Sequence, residues 1–75
     1  MECLVCGADA EQIQSGVGRI GIVCRVCGEY DVETAVVAAG QWRTLEPEQR
    51  RHILDEAKRS AQPGTRPLIR LYLLD

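Results

Sequence analysis

Cys3-Leu4-Val5-Cys6-Gly7 and Cys24-Arg25-Val26-Cys27-Gly28 are two copies of one short pattern. In each copy two cysteines stand two residues apart, and a glycine follows at once. That spacing lets two thiolates on a tight turn reach one ion, while glycine takes the positive φ that the turn needs. Together the turns supply four sulfur ligands, Cys3, Cys6, Cys24 and Cys27, enough to close a tetrahedral shell around one ion. Seventeen residues, Gly7 to Val23, separate the pairs, inside the window for paired zinc knuckles.

Thiolates select zinc or iron among the common metals, and a shell closed by four sulfurs has no open position for catalysis. One structural Zn2+ is therefore the expected cofactor. A rubredoxin-like iron site is the alternative, but the aromatic packing and second-knuckle proline usual there are lacking. A thioredoxin-like redox pair would need only one motif, beside a βαβ unit that this pattern does not contain. Disulfides are the remaining alternative.

The chain of 75 residues makes one small domain. A chain this short usually needs a staple such as a disulfide or a metal. It has no Phe, one Trp and two Tyr, so large aromatic core pieces are scarce and a metal is expected to supply part of the folding energy. No charged-then-apolar leader follows Met1, and no apolar run approaches the roughly 20 residues that span a bilayer. A cytoplasmic, reducing setting and no membrane association are the expectation, which favours paired cysteines as ligands.

The formal net charge of −2 is unevenly distributed. Residues 1–40 carry Arg19 and Arg25 against Glu2, Asp9, Glu11, Glu29, Asp31 and Glu33, a net −4. Residues 41–75 carry seven basic and five acidic groups, a net +2. The cysteine half is thus acidic, which is unhelpful for gripping a phosphate backbone.

Along the chain, Glu11 to Gln14 reads as a short strand with Ile13 turned inward, and Ser15-Gly16-Val17-Gly18 as a turn. Arg19 to Val23 alternates loosely, with Ile20 and Ile22 on one face. Gly21 within that run marks a bulge or a close backbone contact. Glu29 to Val32 reads as a third strand. Thr34 is placed to cap a short helix over Ala35 to Ala39, with Gly40 ending it. Trp42 and Leu45 then fall in a connection. Pro47 opens a clearer helix running to about Ala61, favoured by Glu46 and Glu48 at its positive end and stopped by Pro63-Gly64.

At 100° per residue Ile53, Leu54, Ala57 and Ala61 form one apolar stripe of that helix. Arg50 falls in line with it, its stem on the core and its head in water. Glu48, His52, Asp55, Glu56 and Arg59 take the opposite face. Beyond Pro67, which biases the residue before it toward extended structure, Leu68 to Leu74 is apolar on both faces as a strand and too short to stand alone as a helix.

Beyond the cysteines the candidate residues carry weaker signals. His52, the only histidine, reads as a solvated surface residue. Arg43, Arg50, Arg51 and Lys58 are candidate nucleic-acid contacts, but Asp55 stands four residues from both Arg51 and Arg59, the spacing of helix-surface ion pairs. Tyr30 and Trp42 could stack bases, and they read first as core pieces. Leu68, Ile69, Leu71, Tyr72, Leu73 and Leu74 either fold back as core or expose a patch for a partner or for self-association.

The first 32 residues resemble the zinc-ribbon superfamily, on the strength of the two knuckles Cys3-Leu4-Val5-Cys6-Gly7 and Cys24-Arg25-Val26-Cys27-Gly28. The string Val23-Cys24-Arg25-Val26-Cys27-Gly28-Glu29-Tyr30-Asp31-Val32 also looks like small bacterial and phage proteins in which such a ribbon precedes a short helical segment. The resemblance carries over the four ligand positions. Zinc ribbons serve in transcription, translation and protein assembly, so it leaves the function open.

The expected architecture is a small α+β zinc-binding domain. Residues 1–32 form a zinc ribbon of short antiparallel strands; residues 33–75 add one short and one longer helix and an apolar C-terminal tail, packed with the ribbon as a single domain. The leading expectation for function is a non-enzymatic module that binds a macromolecular partner, a protein before any other, as a regulator or adaptor. A nucleic-acid-binding ribbon involved in transcription is the second expectation and a thiol redox protein the third. No small-molecule substrate is evident.

Overall fold

The computed structural model describes residues 1–74; Asp75 and the side chain of Tyr72 lie outside the described residues. The chain forms three antiparallel strands, β1 (Ala10–Gly16), β2 (Arg19–Cys24) and β3 (Gly28–Glu33). Three helices follow, α1 (Thr34–Ala38), α2 (Gly40–Thr44) and α3 (Pro47–Ser60). A short strand β4 (Leu68–Ile69) and a 3₁₀ turn (Leu71–Leu74) complete the described chain. The sheet has the order β1-β2-β3-β4, with β4 parallel to β3. Parallel neighbours need a long crossover between them, and α1 to α3 provide it.

Local chemistry accounts for the hairpins. Gly18 takes φ +77° at the β1–β2 turn, and its carbonyl accepts from both the amide and the hydroxyl of Thr34 at 2.9 and 3.2 Å. The turn between β2 and β3 is the second cysteine knuckle, where Cys24 faces Gly28 in register. The first knuckle tips a smaller hairpin: Glu2 bridges Asp9, and the Cys3 amide donates to the Ala8 carbonyl at 2.7 Å. Gly7 and Gly28 take φ +78° and +83°, the conformation expected of each knuckle.

Ile20 faces Val32 and Ile22 faces Tyr30 across β2 and β3, and Ile22, Tyr30 and Val32 are fully buried. Val5, Val36, Leu54 and Ile69 complete the centre of one core that runs from Cys3 to Leu74. Gly21 marks a close contact: a Cβ there would meet the Ile13 side chain at 2.6 Å and Asp31 Oδ1 at 3.1 Å. The sheet irregularity lies instead between Gln14 and Gly16.

Several expectations need correction. The N-cap of α1 is Glu33, with no side-chain capping bond; Thr34 is drawn to the Gly18 carbonyl instead. Gly40 does not end a helix but begins α2, because extended Ala39 alone makes the break. Trp42 accordingly sits within α2, buried. In α3 the Glu46 amide donates to Gln49 Oε1 at 2.8 Å, a capping-box contact. Its apolar stripe buries Ile53, Leu54 and Ala57, while Ala61 is the C-cap and only half-buried.

The tail is both strand and 3₁₀ turn. The Asp31 amide donates to the Pro67 carbonyl at 2.7 Å, and Val32 pairs with Ile69. Ile69 and Leu74 are buried in this chain's own core, which removes them from any partner surface. Leu68 and Leu73 are half-buried, and Leu71 is 44% exposed. Within the described residues, Leu71 is thus the tail's outward apolar residue.

This division has a measurable consequence. Ile69→Ala, which empties a fully buried site, should cost about 2–5 kcal/mol in urea unfolding of the full chain. Leu71→Ala should stay within about 0.5 kcal/mol of the parent. Equal, small losses at both positions would place the tail outside the core.

Candidate metal centre

The two knuckles meet at one end of the sheet. The four sulfur atoms of Cys3, Cys6, Cys24 and Cys27 all lie within 4.8 Å of one another. Across the knuckles, Cys3 Sγ is 3.8 Å from Cys27 Sγ, and Cys6 Sγ is 3.5 Å from Cys24 Sγ. A tetrahedron with metal–sulfur bonds of about 2.3 Å has sulfur–sulfur edges of about 3.8 Å, so the donor set fits a zinc-sized ion. A disulfide requires about 2.05 Å, and all four cysteines are free. The four residues are therefore positioned to bind a metal ion.

The shell is organised by donors around it. The Cys27 amide donates to Cys24 Sγ at 3.5 Å. Tyr30, fully buried under β2, places its hydroxyl 3.2 Å from both the Leu4 amide and Cys3 Sγ. The Leu4 N–H can only donate, so the hydroxyl accepts from it and keeps its own proton available for a Cys3 thiolate. One phenol thus ties the first knuckle to β3 and orients a ligand sulfur. Neither Tyr30 nor Trp42, both buried, is open to stack a base.

Electrostatics differ among the thiols. Burial works against the Cys3 thiolate, but the Cys6 and Val5 amides and the Tyr30 hydroxyl outweigh it and bring the thiol down to about 6. The Ala8 amide favours the Cys6 thiolate, yet burial and the facing Cys24 sulfur outweigh it and hold the thiol above its ordinary value. Burial, then the Cys6 and Cys3 sulfurs, pushes the Cys27 thiol well up. Burial likewise raises Tyr30, and the neighbouring Cys3 adds to it, which keeps the phenol a donor. A bound divalent ion would hold all four sulfurs as thiolates.

Cys3, Cys24 and Cys27 are buried, whereas Cys6 is half-buried. A small cavity of about 200 Å³ beside Cys6 is lined by Val5, Pro47, Glu48 and Arg51. Another, of about 340 Å³, brings Arg43 and Arg50 beside Cys3 and Trp42. Three cations from the basic half of the chain therefore stand at the cysteine end, offsetting the acidic character that its own sequence segment suggests.

The other candidates disperse. Arg50 is half-buried, with Nε 3.2 Å from the Trp42 carbonyl and its guanidinium 5.6 Å from the centre of the Trp42 ring. It thus closes the junction between α2 and α3 rather than presenting a free cation. Lys58 lies exposed near the far end of α3. The expected ion pairs of Asp55 do not form: Arg59 pairs with Glu56 at 2.7 Å, and exposed His52 approaches the same carboxylate at 3.7 Å. Among the described residues Arg43, Arg51 and Lys58 have no carboxylate within salt-bridge distance.

The orienting role of Tyr30 was not visible in the sequence, since it depends on a contact spanning 27 residues. The one available signal was the position of Tyr30 three residues beyond Cys27. No protein-family model, curated protein or solved structure matches the chain.

Two outcomes follow from this geometry. Tyr30→Phe keeps the ring and removes the donor, so the protein should remain folded while its zinc affinity in chelator competition falls about 10- to 100-fold. Zinc binding must also displace protons from Cys6 and Cys27, whose raised thiols are protonated at neutral pH. Affinity should therefore increase with pH between pH 6.5 and 8, by at least about 100-fold per unit for the protons released from these two thiols. A pH-independent affinity would contradict that protonation pattern.

Proposed function

We propose that this chain is a zinc-stapled, non-enzymatic binding module of the zinc-ribbon type. The observation that carries this reading is the mutual approach of four cysteine sulfurs within 4.8 Å. With one zinc, four protein sulfurs would occupy every tetrahedral position and leave none for a substrate, which favours a structural role for the metal. The ion would hold the first knuckle against the β2–β3 hairpin, and so contribute folding energy to a chain with a small core.

The useful activity of such a module lies on its surface, in binding a protein partner as a regulator or adaptor. The outer face of α3 and the exposed Leu71 offer one contact surface. Val26, 61% exposed at the tip of the second knuckle, offers a further apolar point. Among the described residues no helix is long and apolar enough to cross a membrane.

A second reading has a specific observation in its favour. Arg43 and Arg51 lie exposed near the cysteine end, Lys58 is exposed farther along α3, and none has a carboxylate partner among the described residues. Such cations could follow a phosphate backbone, in which case affinity would fall steeply with salt.

Native mass spectrometry should count one zinc per chain, and Cys27→Ser should lose both the ion and the cooperative melt. A folded, metal-free, thiol-reactive protein would overturn the staple. For the partner, the zinc-loaded chain should retain bound protein from nuclease-treated host lysate, and Leu71→Asp or Val26→Asp should weaken that retention. Binding lost on nuclease treatment, and in Arg51→Glu, would assign the surface to nucleic acid.

A further inference from the structure

The end of the sheet remote from the cysteines holds a second set of cations. A cleft of about 450 Å³ opens between the last turn of α3, the start of β2 and the segment leading into the 3₁₀ turn. Arg19, Arg66 and Arg70 all line it, and none of the described residues lining it is acidic. β2 carries Arg19 at one end and Cys24 at the other, a separation of about 17 Å along the strand. The cleft is therefore independent of the candidate metal centre.

Two carboxylates stand near these cations. Buried Asp31 meets Arg66 Nε at 3.0 Å through Oδ1, which makes no well-aligned hydrogen bond. This pairing fixes Arg66 at the cleft's edge. Glu33 stands opposite Arg19 in register, but its Oε1 accepts from the Leu71 amide at 2.8 Å. Arg19 and Arg70 have no carboxylate within salt-bridge distance among the described residues. The carbonyl end of α3 adds partial negative charge, offset by Lys58 and Arg59 in its last turn.

All three lining cations are arginines, whose planar forks match phosphate oxygens two at a time. Asp31 takes up the charge of Arg66, and Arg19 and Arg70 remain for an anion. The lining also includes the half-buried apolar side chains of Leu68 and Leu73 and the hydroxyl of Ser60. The volume falls in the range of small-molecule sites, about 300–1,000 Å³. We infer that this cleft binds a nucleoside polyphosphate, with the phosphates on Arg19 and Arg70 beside the Asp31-paired Arg66 and the base against the apolar side chains of Leu68 and Leu73.

Titration calorimetry on the zinc-loaded full chain tests this with ADP and UDP as purine and pyrimidine probes, and pyrophosphate and citrate as controls. At least one nucleotide should bind saturably at one site, more tightly than pyrophosphate or citrate. Arg19→Gln and Arg70→Gln should each weaken it about tenfold, with unchanged melting temperature. Arg51→Gln, at the other end of the molecule, should leave it unaltered.

Absence of saturable binding by both nucleotides up to about 1 mM would overturn the proposal. Citrate or pyrophosphate binding as tightly as the nucleotides would reduce the cleft to a charge trap. Equal weakening by Arg51→Gln would move the site elsewhere. An oligoribonucleotide that displaces the nucleotide and binds more tightly would make this face a nucleic-acid surface instead.

Discussion

The convergence of four sulfur atoms is the constraint on which the rest of the fold depends. Cys3 and Cys6 belong to one hairpin tip and Cys24 and Cys27 to another, and no backbone pairing joins the two tips directly. They meet because Ala10 pairs with Cys24 at the start of the β1–β2 ladder, which lays the first hairpin alongside the second. The Tyr30 hydroxyl then bridges β3 to the Leu4 amide and Cys3 sulfur. Four close thiols carry the cost of burial and mutual repulsion as they ionise, and both push the Cys27 thiol up. A divalent cation would turn that repulsive cluster into a tie between the two hairpin tips.

The remainder of the chain compensates for a shortage of large side chains by closing the sheet over one shared core. Tyr30 is the largest fully buried residue, surrounded mainly by aliphatic side chains of modest size. β4 is only two residues long, yet it pairs with β3 and buries Ile69 between sheet and α3. The helices are short where they only turn the chain and long where they pack. α1 and α2 have five residues each, whereas α3 has fourteen and carries the Ile53–Leu54–Ala57 stripe. Arg50 shows how a cation can serve this packing, its guanidinium lying over Trp42 and reaching backbone carbonyls at the α2–α3 corner.

Folding also redistributes charge in a way that chain segments do not reveal. The first forty residues are acidic and the rest basic, but α2 and α3 return Arg43, Arg50 and Arg51 to the cysteine end. Arg19, from the acidic segment, joins Arg66 and Arg70 at the opposite end. Cations thus gather at both ends of the sheet rather than in one half of the sequence. Asp31 is the buried counterpart of this arrangement, a carboxylate held near Gly21 and neutralised by Arg66.

The sequence by itself determined the four clustered cysteines, the two knuckle glycines, the three antiparallel strands and the longer helix. These are local properties: a two-residue spacing, a positive φ, an apolar period and a proline at a first helical turn act within a few residues. Only the tertiary structure decided that Tyr30 orients Cys3, that Thr34 serves Gly18 rather than its own helix, and that Ile69 and Leu74 are core. Each is a choice between a local partner and a distant one, and the distant partner prevails because burial rewards contacts that no short window contains. The ambiguous tail, apolar on both faces, illustrates the limit. Its pattern could announce that Leu68 to Leu74 must be covered, but only the parallel edge of β3 and the flank of α3 could determine by what.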